Sequence, residues 1–251
     1  MKKFQSIINK AAPFIIILIM LLLWQLLSMT GFIPKFMLPS PISVVKAFIS
    51  DFPLLMHHTR FTLMEAFLGL GIGIVLGFLM AVIMDRFEFA YRAVYPVLII
   101  TQTVPTVAIA PLLVLWLGYG MLPKVTLIVV TSFFPITVGL LDGFKSADKD
   151  GLNLLRTMGA TPFQNFMHVK LPSSIGYFFA GLRISVSYSV IGAVVAEWLG
   201  GFDGLGVYMT RVRKSYSFDK MFAVIFFISI ISLILMYAVK RLQKICMPWE
   251  D

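Results

Sequence analysis

Six apolar runs, at about residues 11–29, 61–84, 93–117, 122–141, 174–199 and 220–240, limit what this chain can fold into. A bilayer core of about 30 Å is crossed by around 20 apolar residues rising about 1.5 Å each, so each run is long enough for a span. Hydrophobic residues make up 59% of the 251 positions and charged residues 13%, against roughly 45–50% and about 25% in soluble domains. Burying that much apolar surface requires lipid, and too little polar length is left for a large extra domain. The expectation is an all-α polytopic membrane protein forming a single transmembrane domain over residues 1–251.

A formal charge of +9 in a soluble protein would suggest nucleic acid, but here Lys and Arg lie between apolar runs and at the chain ends. That pattern fits anionic headgroups and membrane topology, with no nucleic acid partner. With both termini cytoplasmic, twelve basic residues fall inside and eight outside, and Arg183 lies within a span. Lys2, Lys3 and Lys10 precede the first run, and Gly31-Phe32-Ile33-Pro34-Lys35 follows it without a small-x-small cleavage site, so the run reads as an uncleaved span. Cys246 is the single cysteine, and no spacing of His, Cys, Asp or Glu suggests a metal or cofactor.

Gly69, Gly73 and Gly77, followed by Ala81, recur every four residues in the second run, a smooth strip against which another helix can pack closely. The third run holds Pro96, Pro105 and Pro111 with Gln102, Thr103 and Thr106 near its middle. Backbone carbonyls freed by proline are tolerated in a membrane only against protein or a wet cavity, so these polar residues are candidates for a translocation path. In the fifth run Ser185 and Ser189 share a stripe that would line a path or pack on a partner helix. Glu65, Arg183 and Glu197 are the charged residues of the spans. Arg183 and Glu197, about 21 Å apart along one helix, are not each other's partner, and Glu65 and Glu197 near span ends read either as interfacial or as solute-facing.

Residues 142–173 form the long polar segment, with a coupling segment expected at 149–172. Lys149 to Met158 reads as a short helix stopped by Gly159, and Ala160 leads into a second helix with Thr161 as N-cap, Pro162 at its first position and Gln164 completing a capping box. Leu171-Pro172 is expected to close it. Phe163, Phe166 and Met167 fall at i, i+3 and i+4, an apolar knob that either lies in the headgroups or enters a groove of a soluble partner.

Gly159, nine residues, then Val169-Lys170-Leu171-Pro172 resembles the second half of the cytoplasmic "EAA" motif of bacterial ABC importer membrane subunits, although Asn153, Leu154 and Leu155 stand where Glu-Ala-Ala would. Gln102 to Gly120 and Ala180 to Gly200 are similar to the corresponding stretches of sulfonate, taurine and nitrate permeases. The resemblance implies a coupling helix gripped by an ATP-binding subunit pair, a second permease chain in a homodimer, and an extracytoplasmic solute-binding protein. It implies a multi-pass protein of a bacterial cytoplasmic membrane carrying a vitamin precursor (a thiamine pyrimidine or riboflavin) or a sulfonate- or nitrate-like anion. No GxxxxGK[ST] loop is present to hold ATP, so energy must come from another chain. An ion-driven carrier with Glu65 as coupling carboxylate is the alternative. An enzyme finds no nucleophile, base and orienting group together.

Overall fold

The computed structural model describes residues 2–30, 34 and 37–248. The readings that rest on Gly31, Phe32, Ile33 and Lys35, or on the side chains of Lys2, Lys3 and Lys10, lie outside the described residues. The chain is helical, without a strand among the described residues. In order come α1 (Lys2–Met29), α2 (Pro41–Ser50), α3 (Phe52–Arg86), α4 (Glu88–Thr103), α5 (Thr106–Leu117) and α6 (Met121–Lys145). There follow α7 (Lys149–Thr157), α8 (Pro162–Asn165), a π-helical turn (Phe166–Lys170), α9 (Leu171–Glu197), α10 (Leu205–Lys214) and α11 (Phe218–Cys246).

Four runs, Phe52–Arg86, Met121–Lys145, Pro162–Glu197 and Phe218–Cys246, are long and apolar enough to cross a membrane. The apolar stretch Phe14–Met29 of α1 is shorter. The run expected at 93–117 is not one straight helix: α4 and α5 meet at 102° and together could make a fifth span. Pro105 causes the break, because its ring pushes the preceding residue out of the helical region, and Val104 is extended at φ −82° and ψ 122°.

The chain divides into two compact units, Met1–His57 with Tyr208–Phe227, and His58–Val207 with Ile228–Asp251. In the first, the loop expected after the first span folds into α2. Ser40 caps it by accepting from Ser43 N at 3.2 Å, and Pro41 supplies a first residue with preset φ. Val44 and Ala47, one turn apart, are buried with Ala223 against Trp24, Phe48 and Phe222. Asp51 just beyond α2 accepts from Tyr208 Oη at 2.6 Å and pairs with Lys220 Nζ at 2.8 Å.

Burial alone would raise the Asp51 carboxyl, but hydrogen bonds from Lys220, Tyr208 and Ser50 outweigh it and hold the group below its ordinary value of 3.8. A depressed folded pKa contributes stability that is complete above 3.8 and is lost as pH falls through the folded value. Asp51→Asn is expected to lower stability near neutral pH by about 1–3 kcal/mol, and the gap from wild type to close below about pH 4. Thermal unfolding in detergent at a series of pH values reads both.

In the second unit, the run Pro162–Glu197 has 61% of its most apolar window buried against 33% for α3, which makes α9 the central helix. It packs along α6 at very short range: Ser185 donates to Ser132 O at 2.5 Å, and a Cβ on Gly181 would collide with the Pro135 carbonyl. Helix α6 also receives the glycine strip of α3. A Cβ would lie 2.5 Å from Ile128 Cβ at Gly69, 2.6 Å from Ser132 Oγ at Gly73 and 3.0 Å from Ile136 Cγ2 at Gly77. Ile136, Leu140 and Phe144 of α6, with Phe179, Leu182 and Val186 of α9, form the core.

Gly69→Leu is expected to destabilise by about 1–3 kcal/mol through overpacking. Gly71→Leu, where a Cβ meets nothing within 4 Å, should stay within about 0.5 kcal/mol of wild type. Unfolding midpoints of the two purified variants make the comparison.

Candidate functional site

Two features of the second unit stand out, a rigid bent segment and a buried polar cluster. The bend begins at α7, where Asp148 accepts from Asp150 N and Gly151 N at 3.1 and 3.0 Å. At its end Gly159 takes φ +80°, Ala160 N reaches back to Leu155 O at 2.9 Å and Gly159 N to Arg156 O at 3.0 Å. These two bonds are a Schellman motif, which fixes the direction of the chain leaving α7. Thr161 and Gln164 then form the capping box of α8: Thr161 N donates to Gln164 Oε1 at 2.7 Å and Gln164 N to Thr161 Oγ1 at 3.3 Å.

The stop expected at Leu171-Pro172 does not occur. A turn of π-helix intervenes, Leu171 N bonds to Phe166 O five residues back, and the helix runs on into α9 with Pro172 inside its first turn. Wider winding makes room for the ring where an α-turn would clash. Lys170 fastens this turn to α3, with Nζ 2.7 and 2.8 Å from the two Asp85 oxygens.

The three apolar residues of the elbow do not form one knob. Phe166 turns inward, its ring 5.3 Å from that of Phe144, whereas Phe163 is 71% exposed and Met167 42%. Leu154 and Met158 of the preceding segment are exposed as well. Beside them lies an open depression of about 600 Å³ lined by residues including Arg86, Arg156, Thr161, Phe163 and Asn165. The Oδ1 of Asn165 is buried there without a hydrogen-bond partner.

At the other end of α9, Glu197 is 2% exposed and both its oxygens are engaged. Oε1 accepts from Thr62 Oγ1 at 2.7 Å and Oε2 from Gly206 N at 2.6 Å, so the carboxylate sits at the N-terminus of α10, where free amides favour negative charge. Leu205 N donates to Thr62 Oγ1 at 2.9 Å and Gly204 N to His58 Nδ1 at 3.1 Å. Gly204 holds φ +126°, and a Cβ there would strike the Glu197 carboxylate. Alongside, Lys124 and Glu65 form an ion pair at 2.6 Å with side chains only 6% and 5% exposed.

Of these residues, sequence reasoning singles out Glu65 and Glu197 and gives Thr62, Lys124 and His58 no role. A signal was present for one pair: Glu65 lies four residues into the second apolar run and Lys124 two into the fourth, opposite charges at similar depth. The other path candidates stay apart. Ser189 donates to Val186 O at 2.8 Å and, like Ser185, is sealed inside the bundle. Thr103 donates to Ile100 O at 2.8 Å at the α4–α5 bend, where Gln102 is exposed and Thr106 half-buried. Arg183 donates to Gln243 of α11 at 2.6 Å.

Residues 73–248 match the family described as "Binding-protein-dependent transport system inner membrane component". The chain belongs to this family. The permease is 40% identical over 240 residues to the formylaminopyrimidine transport permease protein ThiX of Halalkalibacterium halodurans, covering 95% of each chain. It is 28% identical to the riboflavin transport system permease protein RibX of Chloroflexus aurantiacus, over 93% of this chain and 88% of that one. Among solved structures, the inward-facing MetNI methionine ABC transporter shares its fold with TM-score 0.67 at 20% identity, over 78% of the permease and 97% of that chain. It is therefore a membrane transport subunit of an ABC importer.

Thr62 is the hinge of the polar cluster, since one hydroxyl serves both Glu197 and Leu205 N. Thr62→Val keeps the shape and removes both bonds, and is expected to lower the stability of the permease by about 2–5 kcal/mol. Thr62→Ser should recover most of it. Thermal unfolding in lipid nanodiscs compares the three proteins.

Proposed function

We propose that two copies of this permease form the solute path of an importer driven by a pair of ATP-binding subunits that grip the elbow 149–172. The observation that carries this reading is the elbow itself: capped at both corners, continuous with the central helix, and exposing Leu154, Met158, Phe163 and Met167. Apolar side chains held rigidly outside the core are suited to a groove on a partner. The unpartnered Asn165 Oδ1 invites a donor from that partner.

In this arrangement both termini and the elbow are cytoplasmic, in a bacterial membrane. An external binding protein delivers the solute at the opposite side, near Glu197 and the loop that follows it. ATP hydrolysis belongs to the partner chains, and the permease converts their closure into movement of α9. The solute is a vitamin precursor built on a flat heteroaromatic ring, supported by the relatives that carry formylaminopyrimidine and riboflavin. Gln102, Thr103 and Thr106, at the bend between α4 and α5, are the path residues this reading retains together with Glu197.

The test is reconstitution of the permease with its ATP-binding and solute-binding partners in vesicles. Phe163→Ala combined with Met167→Ala should cut ATP-dependent uptake at least about tenfold, since each anchor buries roughly 1.5–3 kcal/mol of apolar side chain. Phe144→Leu, which touches only the inner side of the elbow, should cost less uptake at equal protein level. Uptake by the permease alone, or uptake that collapses with the proton gradient while ATP is held constant, would favour the ion-driven carrier and end this reading.

A further inference from the structure

A cavity of about 510 Å³ in the first unit has no part in the elbow or in the Glu197 network. Its volume falls within the roughly 300–1,000 Å³ of small-molecule sites. The end of α1 contributes Gln25 and Ser28, α2 contributes Ser43, and the passage from α10 into α11 contributes Tyr216, Phe218 and Asp219.

Among the described residues that line it, the one charged side chain is Asp219, and Lys220, next in sequence, is drawn off to Asp51 at 2.8 Å. The hydroxyl protons are already spent. Ser28 Oγ donates to Leu38 O at 3.1 Å and Ser43 Oγ to Ser40 O at 2.7 Å, so both oxygens have only lone pairs left to offer a ligand. The Oε1 of Gln25 is buried without a hydrogen-bond partner. A surplus of acceptors with a single negative charge complements a cation that carries several N–H groups.

Tyr216 stands at a strained position. α10 ends in a Schellman motif, with Tyr216 N bonded to Arg213 O at 3.2 Å and Ser217 N to Val212 O at 3.0 Å. The left-handed corner of that motif is Tyr216 itself at φ 56°, a conformation usually left to glycine because a Cβ crowds the backbone there. Folding alone would be served better by glycine. The strained corner holds a ring at the cavity, 72% exposed and 6.3 Å from that of Phe218, and aromatic faces attract an ammonium.

We infer that this cavity binds a primary ammonium, that of an ethanolamine phospholipid, with Asp219 and Gln25 accepting its N–H groups and Tyr216 against the charge. The surroundings favour a lipid over a soluble amine. Met29 lines the cavity and is exposed, as are Leu26 and Leu27 before it, so acyl chains find apolar surface that leads up to the site. An anionic lipid would meet Asp219 as a like charge, and a quaternary ammonium has no N–H for the acceptors.

Native mass spectrometry of the purified permease, delipidated and then titrated with lipids of matched acyl chains, resolves the first lipid bound. Phosphatidylethanolamine is expected to bind at least about tenfold more tightly than phosphatidylglycerol and at least about threefold more tightly than phosphatidylcholine. Asp219→Asn should remove the preference over phosphatidylglycerol. Tyr216→Gly should raise the thermal unfolding midpoint, because the left-handed strain is released, and yet weaken phosphatidylethanolamine at least about threefold. A tyrosine with a merely structural role would lower the midpoint when replaced, and that result overturns the site. Equal binding of phosphatidylethanolamine and phosphatidylglycerol by wild type, tighter binding of phosphatidylcholine, or phosphatidylethanolamine binding unchanged in either variant overturns it as well. Displacement of the lipid by free ethanolamine at equal concentration would assign the cavity to a soluble amine and end the lipid reading. Should Tyr216→Gly fail to fold, Asp219→Asn still decides.

Discussion

A helix inside lipid cannot leave its amides and carbonyls unpaired, and the run from Pro162 to Glu197 meets that constraint at its most awkward point. Pro172 would kink an α-helix, but the π turn before it passes the hydrogen bond from Leu171 N to Phe166 O and the rod continues. Thirty-six residues at about 1.5 Å each give a member about 54 Å long. Exposed Phe163 at one end and buried Glu197 at the other therefore belong to one continuous helical run. A flexible joint at Pro172 would absorb displacement, and the elbow would have nothing to move.

What lies at the far end of the rod matters for how displacement is received. Glu197 is held by bonds of 2.6 and 2.7 Å from Gly206 N and Thr62, and hydrogen bonds this short do not stretch by an ångström, they exchange partners. A rod pushing on such a network favours one of two discrete arrangements over a continuum between them. A partner can drive the change only through contacts that differ between the two arrangements. On the proposed reading the ATP-binding subunits must therefore grip the elbow and not merely touch it.

The elbow was legible in the sequence because its signals are local: Gly159 for the left-handed corner, and Thr161, Pro162 and Gln164 for the cap, all lie within six residues. The glycine strip of α3 was legible for the same reason, as a period of four. Leu171-Pro172 misled because the proline rule is written for α-helices, and nothing in the residues announces a π turn. Phe166 turns inward to Phe144 while Phe163 stays exposed, a split that their i, i+3 spacing does not announce. The polar cluster was illegible for another reason. Thr62 and Glu197 are 135 positions apart and Glu65 and Lys124 are 59 apart, so the sequence named groups in need of partners without saying who would meet whom.

The two ends of the rod also differ in chemistry. Asn153 stands where the motif that the elbow resembles would have an acid, and the exposed apolar surface here includes Leu154, Met158, Phe163 and Met167. Contact through such a surface depends on area and shape and is little affected by salt. At the other end, Lys124 and Glu65 are kept in a buried ion pair where an apolar pair of similar volume would be about as stable. Stability does not explain their presence. The pair sits beside Glu197 and next to an open depression lined by residues including Tyr119 and Phe202. On the proposed reading force enters through the apolar elbow, and the buried polar groups lie at the opposite end of the same helix bundle.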